Sequence, residues 1–125
     1  MSPAIETSWH PFRAGATLRE TGSEAGIILR DEEHVEGARI TLERAETPKL
    51  FRRPVVRYAI TCGIYDWMVH TRFFASEVEA VDAYDTMKPA LATILAKIPL
   101  LTDPEIEGKR GQVIDEIGDF TERFP

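Results

Sequence analysis

One cysteine, Cys62, and three histidines, His10, His34 and His70, are the whole stock of thiols and imidazoles in this chain of 125 residues. A lone thiol excludes an internal disulfide and any metal site built from several cysteines. The histidines lack the paired spacing, such as two a helical turn apart, that sets two imidazoles on one metal. No metal and no cofactor is therefore expected. Gly15, Gly22, Gly26 and Gly37 fit neither a phosphate-binding loop nor the dinucleotide fingerprint, and a Gly-x-Ser-x-Gly turn is missing. No apolar run approaches the roughly 20 residues needed to cross a bilayer. The start, Met1 to Glu6, has no basic flank leading into an apolar stretch. These absences predict a soluble, cytoplasmic protein with no membrane contact and no secretory signal.

With 43% hydrophobic and 29% charged residues, the composition is that of a single globular domain spanning 1–125. A chain of this size buries about two-thirds of the surface exposed when unfolded, enough for a core without staples. The formal charge of -6 is uneven, because residues 1–62 balance and the acidic excess lies in 63–125. An acidic molecule repels phosphate backbones at long range, so nucleic acid is an unfavoured partner.

Residues 1–25 lack a sustained period and read as an irregular arm, with one short strand near Ala16 to Glu20 and the aromatics Trp9 and Phe12 pinning it to the body. Period-two alternation in Ala38 to Glu43, with Ile27 to Asp31 before it, predicts a hairpin turning through His34 to Gly37. Val55 to Ile64 and Trp67 to Phe74 predict a second. An even-numbered connection between them places Val56, Tyr58, Ile60, Cys62 and Ile64 on one face with Trp67, Val69, Thr71 and Phe73. Met68, His70, Arg72 and Phe74 then join Arg57 and Thr61 on the other.

Ser76-Glu77-Val78-Glu79 has the spacing of a capping box, and apolar positions from Val78 to Ile98 step by three and four. This predicts a helix with a kink or break near Asp85 to Pro89. Thr102-Asp103-Pro104-Glu105 opens a second, short acidic helix, with Val113, Ile114, Ile117, Phe120 and Phe124 on its inner side. The sum is an α+β fold: a four-stranded antiparallel sheet of two hairpins with the C-terminal helices packed on one face.

Few constellations survive inspection. Cys62 and His70 would make a nucleophile and base only if they shared a face, which an even loop forbids. Asp31 to Glu36 is acidic without the alternating ligands and glycine of a calcium loop, and Asp82 and Asp85 suit the positive end of a helix. The exception is Arg44 to Arg57, which carries Arg44, Lys49, Arg52, Arg53 and Arg57 against Glu46 alone. Pro48 and Pro54 flank an apolar Leu50-Phe51, so Glu46 to Pro54 reads as a loop offering guanidinium groups to a protein partner or an anion; the bland alternative pairs Arg52 and Arg53 with the acidic helices.

The leading expectation is a small non-catalytic binding or regulatory protein, homodimeric through an apolar face holding Met68 and Phe74. The alternative is a small enzyme or ligand-binding domain for an anionic metabolite. Its candidate contacts are Arg57, His70 and Arg72 beside Thr61, with Arg52 and Arg53 as a second group.

Overall fold

The computed structural model describes residues 8–49 and 52–125. Its five strands form one antiparallel sheet in the order β1-β2-β3-β4-β5. They are β1 (Trp9–Pro11), β2 (Ile27–His34), β3 (Ala38–Lys49), β4 (Arg52–Ile64) and β5 (Met68–Phe74), followed by α1 (Glu77–Leu95) and α2 (Ile106–Arg123). The α+β class and the C-terminal helices match expectation, but the sheet has a fifth strand. β1 lies within the arm and sets Trp9 opposite His34; three residues are too few to give a period. Ala16 to Glu20, expected as a strand, is a run of turns.

Two further corrections concern β4. Glu46 to Pro54 is not an open loop: Thr47 faces Val55 and Lys49 faces Arg52, with a register shift between Thr47 and Lys49. Pro48 falls at that irregularity, where a missing backbone donor is tolerated. Pairing of β2 stops at Arg44 and that of β5 at Tyr58, so the rest of β3 and β4 is a two-stranded ribbon running past the sheet. The apolar tip Leu50-Phe51 lies outside the described residues, as does the side chain of Arg52.

The β4–β5 connection holds three residues, Tyr65, Asp66 and Trp67, because Ile64 pairs with Met68. Asp66 takes a left-handed backbone, φ 71°, which Asp tolerates better than most side chains and which closes the odd loop. An odd loop inverts the whole strand. Met68, His70, Arg72 and Phe74 therefore stand beside Ile64, Cys62, Ile60 and Tyr58, while Val69, Thr71 and Phe73 face the opposite way.

The helices cover the first of these faces. Ile40, Leu42, Ile60, Cys62 and Ile64 from the sheet meet Tyr84, Met87, Leu91 and Ile94 from α1 and Val113 and Phe120 from α2, all buried in one apolar cluster. Ser76 caps α1 by accepting the Glu79 N–H at 3.4 Å, and the helix continues through Pro89 without the anticipated break. At the start of α2, Asp103 accepts the Glu105 N–H at 2.8 Å and the Lys109 ammonium at 2.6 Å. That helix is 18 residues long, not short, and Ile114 points to solvent, unlike Val113. Among the described residues, no helix is long and apolar enough to cross a membrane.

Candidate binding cleft on the open sheet face

The face without helices is partly covered by residues 12–26. This covering segment is held by two carboxylates, Asp31, read from sequence only as part of an acidic stretch, and Glu43, read only as a polar position of an alternating strand. Asp31, whose side chain is fully buried, accepts the Thr17 hydroxyl at 2.7 Å and two donors of Arg39, Nε at 2.9 Å and Nη2 at 2.7 Å. Glu43 is 1% exposed and accepts the Gly26 N–H at 2.9 Å and the Glu24 N–H at 3.1 Å. No ion pair to Glu43 occurs among the described residues, so backbone amides supply its compensation; a buried carboxylate tolerates burial only with such donors.

Among the described residues, four of the five non-glycine residues with positive φ lie in this segment: Arg13, Ala14, Arg19 and Ala25. Left-handed conformations cost of order 1 kcal/mol or more each for such residues. The segment is thus bent against its local preference and secured by non-local bonds. The same bonds explain why periodicity could not reveal it.

Between this covering segment and the β4–β5 end of the sheet lies a cleft of about 800 Å³, lined among others by Phe12, Arg13, Arg39, Thr41, Thr61 and Val69. Its volume falls within the range of about 300–1,000 Å³ usual for small-molecule sites. Phe12 covers one flat side of the Arg39 guanidinium, 3.7 Å from ring centroid to Cζ. The bond to Asp31 is the leading reason the guanidinium pKa lies above its ordinary value. The hydroxyl of Thr61, a lining residue, lies 3.2 Å from that of Thr71 on β5. Tyr65 closes one end with its hydroxyl bonded to Glu33 at 2.6 Å, and burial, then that bond, push its pKa up to about 12.

The residues selected from sequence do not converge. Arg53 is exposed on the ribbon and makes no ion pair among the described residues. Arg57 lies over the Phe73 ring at 4.4 Å on the open face. His70 and Arg72, expected beside it, are on the helix side: His70 Nε2 bonds the Phe124 carbonyl, and Arg72 sits 4.8 Å from the Phe74 centroid and 6.0 Å from that of Phe124. Both side chains contact the end of the chain. Thr61 alone of that expected group lines the cleft.

The odd loop does make Cys62 and His70 cross-strand neighbours. No hydrogen bond joins them among the described residues, and Cys62 is 1% exposed, with burial pushing its thiol up from 9.0 to about 12. A thiolate is disfavoured there, the reverse of what a nucleophile requires. Met68 is half-buried against the core and Phe74 buried within it, so the open apolar face expected to hold these two residues is not formed by them. On the opposite face Val69 is 80% exposed and Phe73 45% exposed.

Arg39, Asp31 and Glu43 left one trace in the sequence. They occupy alternate strand positions on a single face, a pattern that reads as ordinary solvent alternation unless something is known to cover it. The chain matches no protein-family model, no curated protein and no solved structure.

Proposed function

We propose that this chain is a small, non-catalytic binding protein of the cytoplasm that takes a small molecule in the cleft under residues 12–26. The carrying observation is that the cover is fastened at separate points, Thr17 to Asp31, the Glu24 and Gly26 amides to Glu43, and the Arg19 and Glu20 backbone to that of Ile28. A cleft built before its ligand arrives avoids much of the ordering cost of binding. Enzymatic action on an anionic metabolite is the weaker reading, since the cationic residues proposed for it are divided between the two sheet faces.

The proposal is tested by screening a mixed small-molecule library against the isotope-labelled protein and following backbone amide shifts. Ligands that move Thr41, Thr61, Gly63 and Val69 together support the reading. Hits that move only the helices or the β3–β4 ribbon reject it.

Homodimerisation forms a second part of the proposal, now placed at β5. Among the described residues this edge strand pairs with β4 alone. A two-fold axis through Thr71 would pair Val69 with Phe73 of a second copy and Phe73 with its Val69, an aromatic–β-branched match made twice. Sedimentation showing only a 14.1 kDa species at micromolar concentration would reject it.

A further inference from the structure

Resting on the cleft as a binding site, we infer that its ligand is a small monocarboxylate with an apolar body, whose carboxylate docks on the outer edge of Arg39. A guanidinium has five N–H donors in one plane. Asp31 engages Nε and Nη2 along the inner edge, and Nη1 makes no hydrogen bond among the described residues. The inner bonds fix the plane, Phe12 covers one side of it, and Arg39 belongs to the cleft lining. Planarity then directs the remaining donors away from Asp31. A carboxylate accepts two such parallel N–H groups side by side.

The charge around the cleft narrows the class. Arg39 is neutralised by buried Asp31, and the cation Arg13 is accompanied in the lining by Glu20 and Asp66. The site therefore lacks the concentrated positive field that holds a polyphosphate, while a directional fork remains for one planar anion. Val69 and the Phe12 ring supply the apolar surface that an aliphatic or aromatic body would cover. The Thr41 and Thr61 hydroxyl positions on the floor admit one or two polar substituents.

The probes are phenylacetate, its neutral counterpart phenylacetamide, and pyrophosphate, each titrated into the full chain while the amides of Thr41, Thr61 and Val69 are followed. Phenylacetate is expected to bind at least about tenfold more tightly than the other two, the difference a paired charge-assisted contact gives. Arg39→Lys keeps the charge and removes the fork, and it should abolish that preference. Because this variant also disturbs the bond to Asp31, Val69→Glu serves as a second test: it removes apolar lining from acid and amide alike, so both should weaken, but the added charge should weaken the acid more and so shrink the preference. Equal binding of acid and amide at these residues, or a preference unchanged in both variants, overturns the assignment to Arg39 while leaving the cleft as a binding site. Tighter binding of pyrophosphate overturns the carboxylate class. If none of the probes moves these amides, the carboxylate inference fails, and the library screen then decides separately whether the cleft binds anything.

Discussion

The two faces of this sheet are secured by different physics. On the helix side, Ile40, Ile60, Tyr84, Leu91 and Val113 bury apolar surface over a broad contact, which is non-directional and cooperative. On the open side, a bent segment is held by a few directional bonds, to Asp31 and Glu43 and to the backbone of Ile28. Apolar packing ties its strength to the whole fold. Point bonding permits one segment to loosen while the rest stays folded, which is the behaviour required of a region beside a binding cleft.

The sharpest way to break this contrast is to truncate one anchor on each side. Leu91→Ala removes a fully buried side chain and should lower global stability by about 2–5 kcal/mol in chemical denaturation. Glu43→Ala should cost less, about 1–3 kcal/mol, through loss of its bonds to two amides. Its signature should be local: faster hydrogen exchange at Glu24 and Gly26 with protection in β3 and β4 kept. Equal losses, or exchange rising across the whole sheet in Glu43→Ala, would erase the distinction.

Alkaline titration sharpens the helix side. The unfolded thiol of Cys62 loses its proton near 9.0, whereas the native one keeps it to about 12. Between these values the unfolded state binds fewer protons, so stability falls as pH rises. Cys62→Ala should reduce that slope, and a thiol reagent should label the native protein far more slowly than the denatured one. Rapid native labelling would contradict the burial. The smallest expected effect is at the exposed start of α2, where the Lys109 ammonium and then the Glu105 N–H hold the Asp103 carboxyl below its usual range. A depressed native value stabilises above the unfolded value and the benefit fades on acidification, so Asp103→Asn should matter slightly at neutral pH and not at strongly acidic pH.

Legibility from sequence followed how local each determinant was. The Ser76 cap, the apolar stripe of α1 apart from Val78, which is exposed, and the alternation of Ala38 to Glu43 act over a few residues, and each was readable. The face of β5 was not, because it depended on whether the connecting loop held an even or an odd number of residues. Asp66 in a left-handed conformation settled that number, and Asp serves several loop lengths equally well. The ribbon was misread because Pro48 and Pro54 usually interrupt ladders, whereas here the register shifts around the first. The cleft was hidden for a stronger reason: Arg39 and Asp31 acquire their roles only when Phe12 and Thr17 arrive from another part of the chain.

The cover's close fit also limits how this sequence can change. A side-chain carbon placed on Gly22 would lie 2.4 Å from Glu43 Oε2, and one on Gly26 would lie 3.0 Å from the Arg44 backbone. The carboxylate at Gly22 is not a free-swinging end, since its Oε1 accepts the Gly26 and Glu24 N–H groups and its Oε2 accepts the Glu24 N–H at 3.3 Å. Gly22 and Glu43 thus form a sterically coupled pair: mutation of the glycine should be harmful while the glutamate remains, and shortening the glutamate should relax the demand for glycine. Divergent descendants of this chain should exchange the two positions together, and a double-mutant cycle of Gly22→Ala with Glu43→Ala should be non-additive, the double variant losing less than the sum of the single losses.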